Sequence, residues 1–178
     1  MLAGGRPVFA DIEERTFTLS PDDVLKRITP RTKAILPVHL YGQPADIKAI
    51  LDIAEDHHLT VVWDAAQAHG AKYFGRDVGS FDHVVCFSFY ATKNMTTGEG
   101  GMVITNDSDI ARRIRLLKDH GQERRYYHVI LGLNYRMTEM QAAIGLHQLR
   151  KLDKMNELRI RNAKFLTKKL RPLGAVIP

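Results

Sequence analysis

The chain is poor in cysteine and has no long apolar run and no repeat, and each absence narrows what it can be. Cys86 is the only cysteine among 178 residues. An internal disulfide is therefore excluded, and a lone thiol inside a hydrophobic strand fits a packing role in a reducing, cytoplasmic setting. No stretch of about 18 apolar residues occurs, and no basic segment followed by an apolar one opens the chain, so neither a membrane span nor a secretory signal is expected. His39, His57, His58 and His69 match no spacing of metal ligands, and no metal site is expected. The run Gly98-Glu99-Gly100-Gly101 lacks the lysine and hydroxyl residue of a phosphate loop and precedes a strand rather than a helix. It reads as a turn that lets two backbones approach closely.

What is present describes one globular domain with a substantial core: 44% of residues are hydrophobic, and no linker or low-complexity tract divides them. Charge is uneven. Residues 1–110 carry a net −5 and residues 111–178 a net +11. The basic residues of the second part fall at helical spacings, as in Arg112, Arg113, Arg115 and Lys118, which describes a solvated helix face. No pattern of a DNA- or RNA-reading module accompanies them, so a nucleic-acid partner is not expected.

Short apolar runs alternate with helical patterns, the signature of an α/β domain built from crossover units. Strands are predicted at Pro7–Asp11, Lys33–Val38 and Thr60–Trp63. Ser20 is placed to cap a helix beginning at Pro21, with Asp22 and Asp23 in its first turn. Ile47, Ile50, Leu51 and Ala54 recur at helical spacing, so Asp46–His57 should pack one face on the sheet. The dozen residues from Phe89 to Gly101 leave no room for a crossover helix, which makes Gly101–Thr105 an antiparallel strand. Ile110, Ile114 and Leu117 mark a helix that ends before Gly121, and a longer helical stretch runs from Thr138 through Met140, Ile144, Leu149 and Leu152. Its apolar positions are spread widely around the axis, as in a helix packed between elements or at a subunit contact.

Two of the predicted strand ends carry chemistry. Asp64 closes Val61-Val62-Trp63-Asp64, and Lys93 follows Phe87-Ser88-Phe89-Tyr90-Ala91-Thr92. Open α/β sheets bind ligands at the rim where the carboxyl ends of parallel strands gather. A carboxylate and an amine at that rim suit pyridoxal phosphate, which is held as an imine on a lysine and needs its pyridine nitrogen kept protonated. Each residue also has a plainer reading: a surface lysine, an acid capping the next turn, an outward-facing strand serine at Ser88.

Five segments in order, Pro37-Val38-His39-Leu40-Tyr41-Gly42, Asp64-Ala65-Ala66-Gln67-Ala68-His69-Gly70, Phe87-Ser88-Phe89 with Thr92-Lys93-Asn94, Gly98-Glu99-Gly100-Gly101 and Gly132-Leu133-Asn134-Tyr135-Arg136-Met137, are similar to signatures of a known family. The chain from about Gly4 to its end resembles the DegT/DnrJ/EryC1/StrS sugar aminotransferases, which use pyridoxal 5'-phosphate in the fold type I architecture.

That resemblance implies a three-layer α/β fold, with a mostly parallel sheet, one antiparallel strand and following helices that lead to a small domain. Residues 1–150 would be part of the large cofactor-binding domain, and 151–178 the connecting helix and the start of the small domain. Lys93 would be the catalytic lysine, Asp64 the partner of the pyridine nitrogen, Gln67 a contact of the phenolic oxygen and Ser88 a donor to the phosphate. Asn134 would reach the cofactor phosphate of the other subunit in a homodimer; its plainer reading is a turn-forming asparagine, and that of Gln67 an ordinary loop hydrogen bond.

The implied reaction moves an amino group, from a donor such as glutamate, to a nucleotide-diphosphate-linked keto sugar in polysaccharide biosynthesis, with an amino-cyclitol acceptor as the rival. The other class of reading is an inactive fragment serving as an interaction module or remnant. The chain corresponds to roughly half of a full-length member, so the backbone cradle for the phosphate and the side chain stacked on the ring are expected outside it. One departure stands out. Trp63 occupies a position where most relatives carry an acid, and strand alternation should turn it away from the face of Asp64.

Overall fold

A computed structural model describes residues 3–174. The elements run α1 (Pro21–Arg27), β1 (Ala34–Ile35), α2 (Ile47–Asp56), β2 (Thr60–Asp64), β3 (Lys72–Tyr73), β4 (Arg76–Asp77), β5 (Val84–Ser88), β6 (Gly101–Thr105), α3 (Ser108–Lys118), β7 (Gln122–Arg124), β8 (Tyr127–His128), α4 (Glu139–Leu149) and α5 (Leu152–Leu170). The main sheet has the order β1-β2-β5-β6. β1, β2 and β5 are parallel, and β6 runs antiparallel to β5 with Ser88 opposite Gly101. The expected mostly parallel sheet with one reversed strand is therefore found.

Side-chain alternation decides which residues build the core. Ile35, Val61, Trp63 and Val85 point to one face and are buried, packed with Ile47, Ile50, Ile53 and Ala54 of α2. Trp63 is fully buried and donates its indole N–H to the Asp82 carbonyl at 3.2 Å, so the large ring leaves no polar atom unpaired. Its side chain is thus turned away from that of Asp64, as alternation requires. The other face is open: Leu36 is 62% exposed, and Val62 and Cys86 are only half-buried.

The starts of α2, α3 and α4 follow the local capping rules, whereas those of α1 and α5 carry no side-chain cap bond. Asp46 caps α2 by accepting from the Ala49 N–H at 3.2 Å, Asp107 caps α3, and Thr138 with Gln141 forms a capping box on α4. Ser20 occupies the cap position of α1, but its hydroxyl makes no cap bond. Asp23 instead fixes the entry to that helix, accepting from the Asp11 N–H at 2.8 Å and pairing with Arg27.

Three expectations are corrected. Pro7–Asp11 is not a strand: Val8 and Phe9 are 67% and 85% exposed, and the segment pairs with no strand of the sheet. In the 33–38 segment only Ala34–Ile35 forms a ladder, because Pro37 has no N–H to donate; its carbonyl still accepts from Asp64. The long helix from Thr138 breaks at Arg150-Lys151 into α4 and α5. Among the described residues, no helix is long and apolar enough to cross a membrane.

Candidate active site

Asp64, the last residue of β2, lies opposite Cys86 of β5, and Ser88 follows two residues further on the same face. The pleat therefore brings carboxylate and hydroxyl to one rim. Asp64 and Ser88 line an open cavity of ≈ 280 Å³ together with Leu36, Val62, Ala66 and Phe87. The half-buried Asp64 carboxylate accepts from the Ala66 N–H through Oδ1 at 2.9 Å. It caps its own turn and keeps Oδ2 without a partner among the described residues. The plain reading of this acid and the chemical one are compatible, since each uses a different oxygen.

Gln67 is oriented by a single bond. A backbone N–H can only donate, so the 2.8 Å contact from the Tyr41 N–H fixes Oε1 as the acceptor and leaves the Nε2 donor for another group. Tyr41 makes that bond from a left-handed conformation (φ 57°), uncommon for a residue with a side chain. Ser88 Oγ accepts from the Tyr90 N–H at 3.3 Å, a long bond that leaves its O–H free to donate.

Lys93 is half-buried in the loop between β5 and β6, and its N–H closes a turn on the Tyr90 carbonyl. The loop is short because backbones cross within it: Phe89 donates to Gly100, and Thr97 donates back to Phe89. Gly100 makes the crossing possible, with φ 154° and no room for a Cβ, which would meet Thr97 Oγ1 at 2.5 Å. Close backbone approach in the Gly98–Gly101 run is thus observed. Phe89 and Met95 of this loop are buried on Leu152, the first residue of α5.

Two buried histidines flank the site. His39 is fully buried and accepts from the Ala45 N–H at Nδ1, while Nε2 has no partner among the described residues. Burial pushes its pKa down to about 4, against a smaller upward pull from the Asp64 carboxylate. His69 lies against Phe87 and Phe89. Burial lowers its pKa as well, and the Lys93 charge acts in the same direction. The Ser88 carbonyl favours the protonated ring, yet among the described residues neither ring nitrogen makes a well-formed hydrogen bond, and burial prevails. The Cys86 thiol is pushed up by burial first and by Asp64 second.

Asn134 stands apart from these groups. It is exposed, bridges to Asp119 beyond the end of α3, and accepts from the Arg136 N–H and Nε at 3.4 and 3.2 Å. The chain does not itself bring Asn134 to the Asp64–Ser88 rim, and its local bonds are those of a turn-forming asparagine. The sequence did not point to Tyr41 as the group that orients Gln67. A signal existed, since Tyr41 lies in the Pro37–Gly42 segment, but nothing in a sequence marks a left-handed tyrosine.

The model of the DegT/DnrJ/EryC1/StrS aminotransferase family matches residues 1–178. The chain belongs to that family. It is 49% identical over 173 residues to the GDP-perosamine synthase of Caulobacter vibrioides, covering 96% of this chain and 47% of that protein. Among solved structures it resembles Streptomyces venezuelae DesV, determined with a ketimine intermediate, at 46% identity and a TM-score of 0.90 over 92% of this chain and 44% of that one. It also resembles NtdA of Bacillus subtilis, determined with bound PMP, at 32% identity and a TM-score of 0.87 over 98% and 41%. The fold is that of fold type I sugar aminotransferases, of whose chains it covers about half. The chain spans about half the length of the curated relatives it matches.

Proposed function

We propose that this chain supplies the cofactor-holding part of a pyridoxal-phosphate-dependent aminotransferase that delivers an amino group, from a donor such as glutamate, to a nucleotide-diphosphate-linked keto sugar. The observation that carries the reading is the meeting of Asp64 and Ser88 on one rim of the sheet, next to the loop that carries Lys93. The names of the relatives support the acceptor class, since GDP-perosamine synthase and a dTDP-amino-sugar transaminase are among them.

The residues present fit the cofactor. The unpartnered Oδ2 of Asp64 can hold the proton on a pyridine nitrogen through a charge-assisted bond, and the free Nε2 of Gln67 can donate to the ring oxygen. Ser88 Oγ can donate to a phosphate oxygen. Lys93 Nζ would provide the amine for covalent attachment and would take the proton from the amine-bearing carbon of the substrate. When bound, the cofactor supplies an electron sink for the substrate's α-carbon. Asn134 takes its role in the partner subunit, where its side chain contacts the phosphate of the other site, so the working unit is a homodimer. Residues 1–150 then belong to the large domain, and 151–178 connect it to the small one.

The test has two arms. Pyridoxal phosphate added to the protein and trapped with borohydride should leave its reduced adduct on the peptide containing Lys93. The protein supplied with glutamate and a nucleotide-linked 3- or 4-keto sugar should release 2-oxoglutarate. An adduct on any other lysine moves the catalytic amine elsewhere. A Lys93 adduct with no transamination of any keto sugar or cyclitol favours the inert interaction module.

A further inference from the structure

We propose that Asn156, on helix α5, is a positioning residue that holds the Lys93 loop at a fixed distance from the Asp64–Gln67 loop. The inference rests on the cofactor reading only for what the two loops carry; the mechanical claim stands on the hydrogen bonds alone.

The two loops leave adjacent parallel strands, β2 and β5, and both continue past the sheet without its ladder to align them. Among the described residues, no hydrogen bond runs directly between segment 66–71 and segment 90–100. The His69 ring packs against Phe89 at the base of the lysine loop, and the hydrogen-bonded connection between the two loops passes through Asn156. Its Nδ2 donates to the His69 carbonyl at 2.9 Å, and its Oδ1 accepts from Asn94 Nδ2 at 3.1 Å. The orientation of the amide is forced, because the His69 carbonyl can only accept and must therefore face the NH₂ group. Asn94 is the residue after Lys93. His69 is two residues after Gln67.

The same face of α5 adds two further holds, at helical spacings of four and three residues from Asn156. Leu152 is buried on Phe89 and Met95 of the lysine loop. Arg159 donates to Asn156 Oδ1 at 3.1 Å and to the Asn94 carbonyl at 3.2 Å, so the acceptor side of the amide is bound twice. Asn156 is half-buried, which gives these bonds more weight than surface contacts. Gly70 completes the fit. It has φ 76°, and a Cβ there would lie 2.9 Å from Asn156 Nδ2, displacing the amide from the His69 carbonyl. The glycine that ends the Asp64–Gly70 segment is thus the clearance through which α5 reaches the acid-bearing loop.

The consequence is a mechanical coupling. The lysine and the acid that must meet one cofactor ring are registered through a third element, so a shift of α5 moves one against the other. Misplacement of a reacting group by about 1 Å costs on the order of 10²-fold in rate, so the bridge matters although Asn156 itself touches neither Lys93 nor Asp64.

Three substitutions separate this role from simple support of the fold. Asn156→Ala removes both links. Asn156→Asp keeps the acceptors for Asn94 and Arg159 but cannot donate to His69. Asn94→Ala cuts only the lysine-side link. Amide hydrogen exchange of the full chain should accelerate about tenfold across 66–70 and 90–97 in Asn156→Ala, with α2 and β2 unchanged. In Asn156→Asp only the 66–70 side should loosen. In the cofactor-loaded protein, Asn156→Ala should lower kcat at least about tenfold with KM nearly constant, and Asn94→Ala combined with Asn156→Ala should lose less than the two separate losses together. Unchanged exchange in both loops, or a uniform rise across α2 and β2 as well, overturns the proposal. If pyridoxal phosphate does not attach at Lys93 in the parent, the cofactor reading falls, and the exchange pattern still decides whether Asn156 joins the two loops.

Discussion

The imidazole of His39 lies nearly flat on the indole of Trp63, with ring centroids 5.3 Å apart and 13° between their planes, both side chains fully buried. A protonated His39 would have to place a hydrogen on Nδ1, against the Ala45 N–H that now donates to it, and a charge where no water reaches. The folded-state pKa of about 4 lies below the ordinary 6.5. The unfolded chain therefore takes up the proton first as pH falls. Stability is fully present above about pH 6.5, declines between there and about 4, and below that the loss is complete. The shift corresponds to about 3 kcal/mol. Urea denaturation at pH 7 and pH 4.5 measures it, and His69, whose pKa moves the same way, adds to the slope. In His39→Gln, whose amide oxygen can still accept from Ala45, the slope should flatten. An unaltered slope would assign the acid sensitivity to other groups.

Much of the fold that frames the Asp64–Ser88 rim was legible in the sequence, for reasons tied to particular residues. Period-two alternation puts Asp64 and Trp63 on opposite faces, and the short Phe89–Gly101 connection forces β6 to reverse; both are local rules that tertiary context did not override. Val8 and Phe9 show the limit of such rules. An apolar run states that a segment favours burial, not which partner covers it, and β1, two residues long, offers them no ladder. The break at Arg150-Lys151 was hidden because neither residue opposes helix. Asn156 was hidden for a different reason: its two loop partners lie 62 and 87 residues away, and nothing around it distinguishes it from the solvated residues of a charged helix.

Asn134 separates a dimeric site from one built by a single chain. Its segment is pinned to the end of α3: Leu133 donates to Leu117, Tyr135 donates to Lys118, and Gly132 passes so close to Gly121 that a Cβ on it would lie 2.2 Å from the Gly121 nitrogen. The exposed Asn134 is thus held firmly at the surface, away from its own rim. Beside it, Leu131, Tyr135 and Met140 are 91%, 71% and 77% exposed, an apolar surface of the kind that a subunit contact covers. Sedimentation should give a dimer. Mixing inactive Lys93→Ala with Asn134→Ala should restore activity, because one of the two sites in a mixed dimer has an intact lysine and an intact asparagine from the other subunit. No recovery from verified mixed dimers would return Asn134 to its plain role in the turn.

Asp64→Asn tests the acid with its structural duty preserved. The amide oxygen can still accept from the Ala66 N–H, and the backbone bonds of residue 64 to Pro37 and His39 do not depend on the side chain, so the turn and the strand end should hold. What disappears is the negative charge. A neutral amide cannot keep a proton on a pyridine nitrogen, and the electron sink of the cofactor weakens when the substrate carbon loses its proton. Removal of a preorganised electrostatic contact of this kind costs on the order of 10²-fold or more in kcat. The melting temperature at pH 7 should change little, while the reduced adduct should still form on Lys93, since attachment uses the amine and not the acid. His39 supplies an internal check: without the upward pull of the carboxylate its pKa should fall further, which its NMR titration would report. Parent-level turnover in Asp64→Asn would show that another group protonates the ring, whereas lost turnover with an intact fold and an intact Lys93 adduct assigns the proton on the ring nitrogen to Asp64.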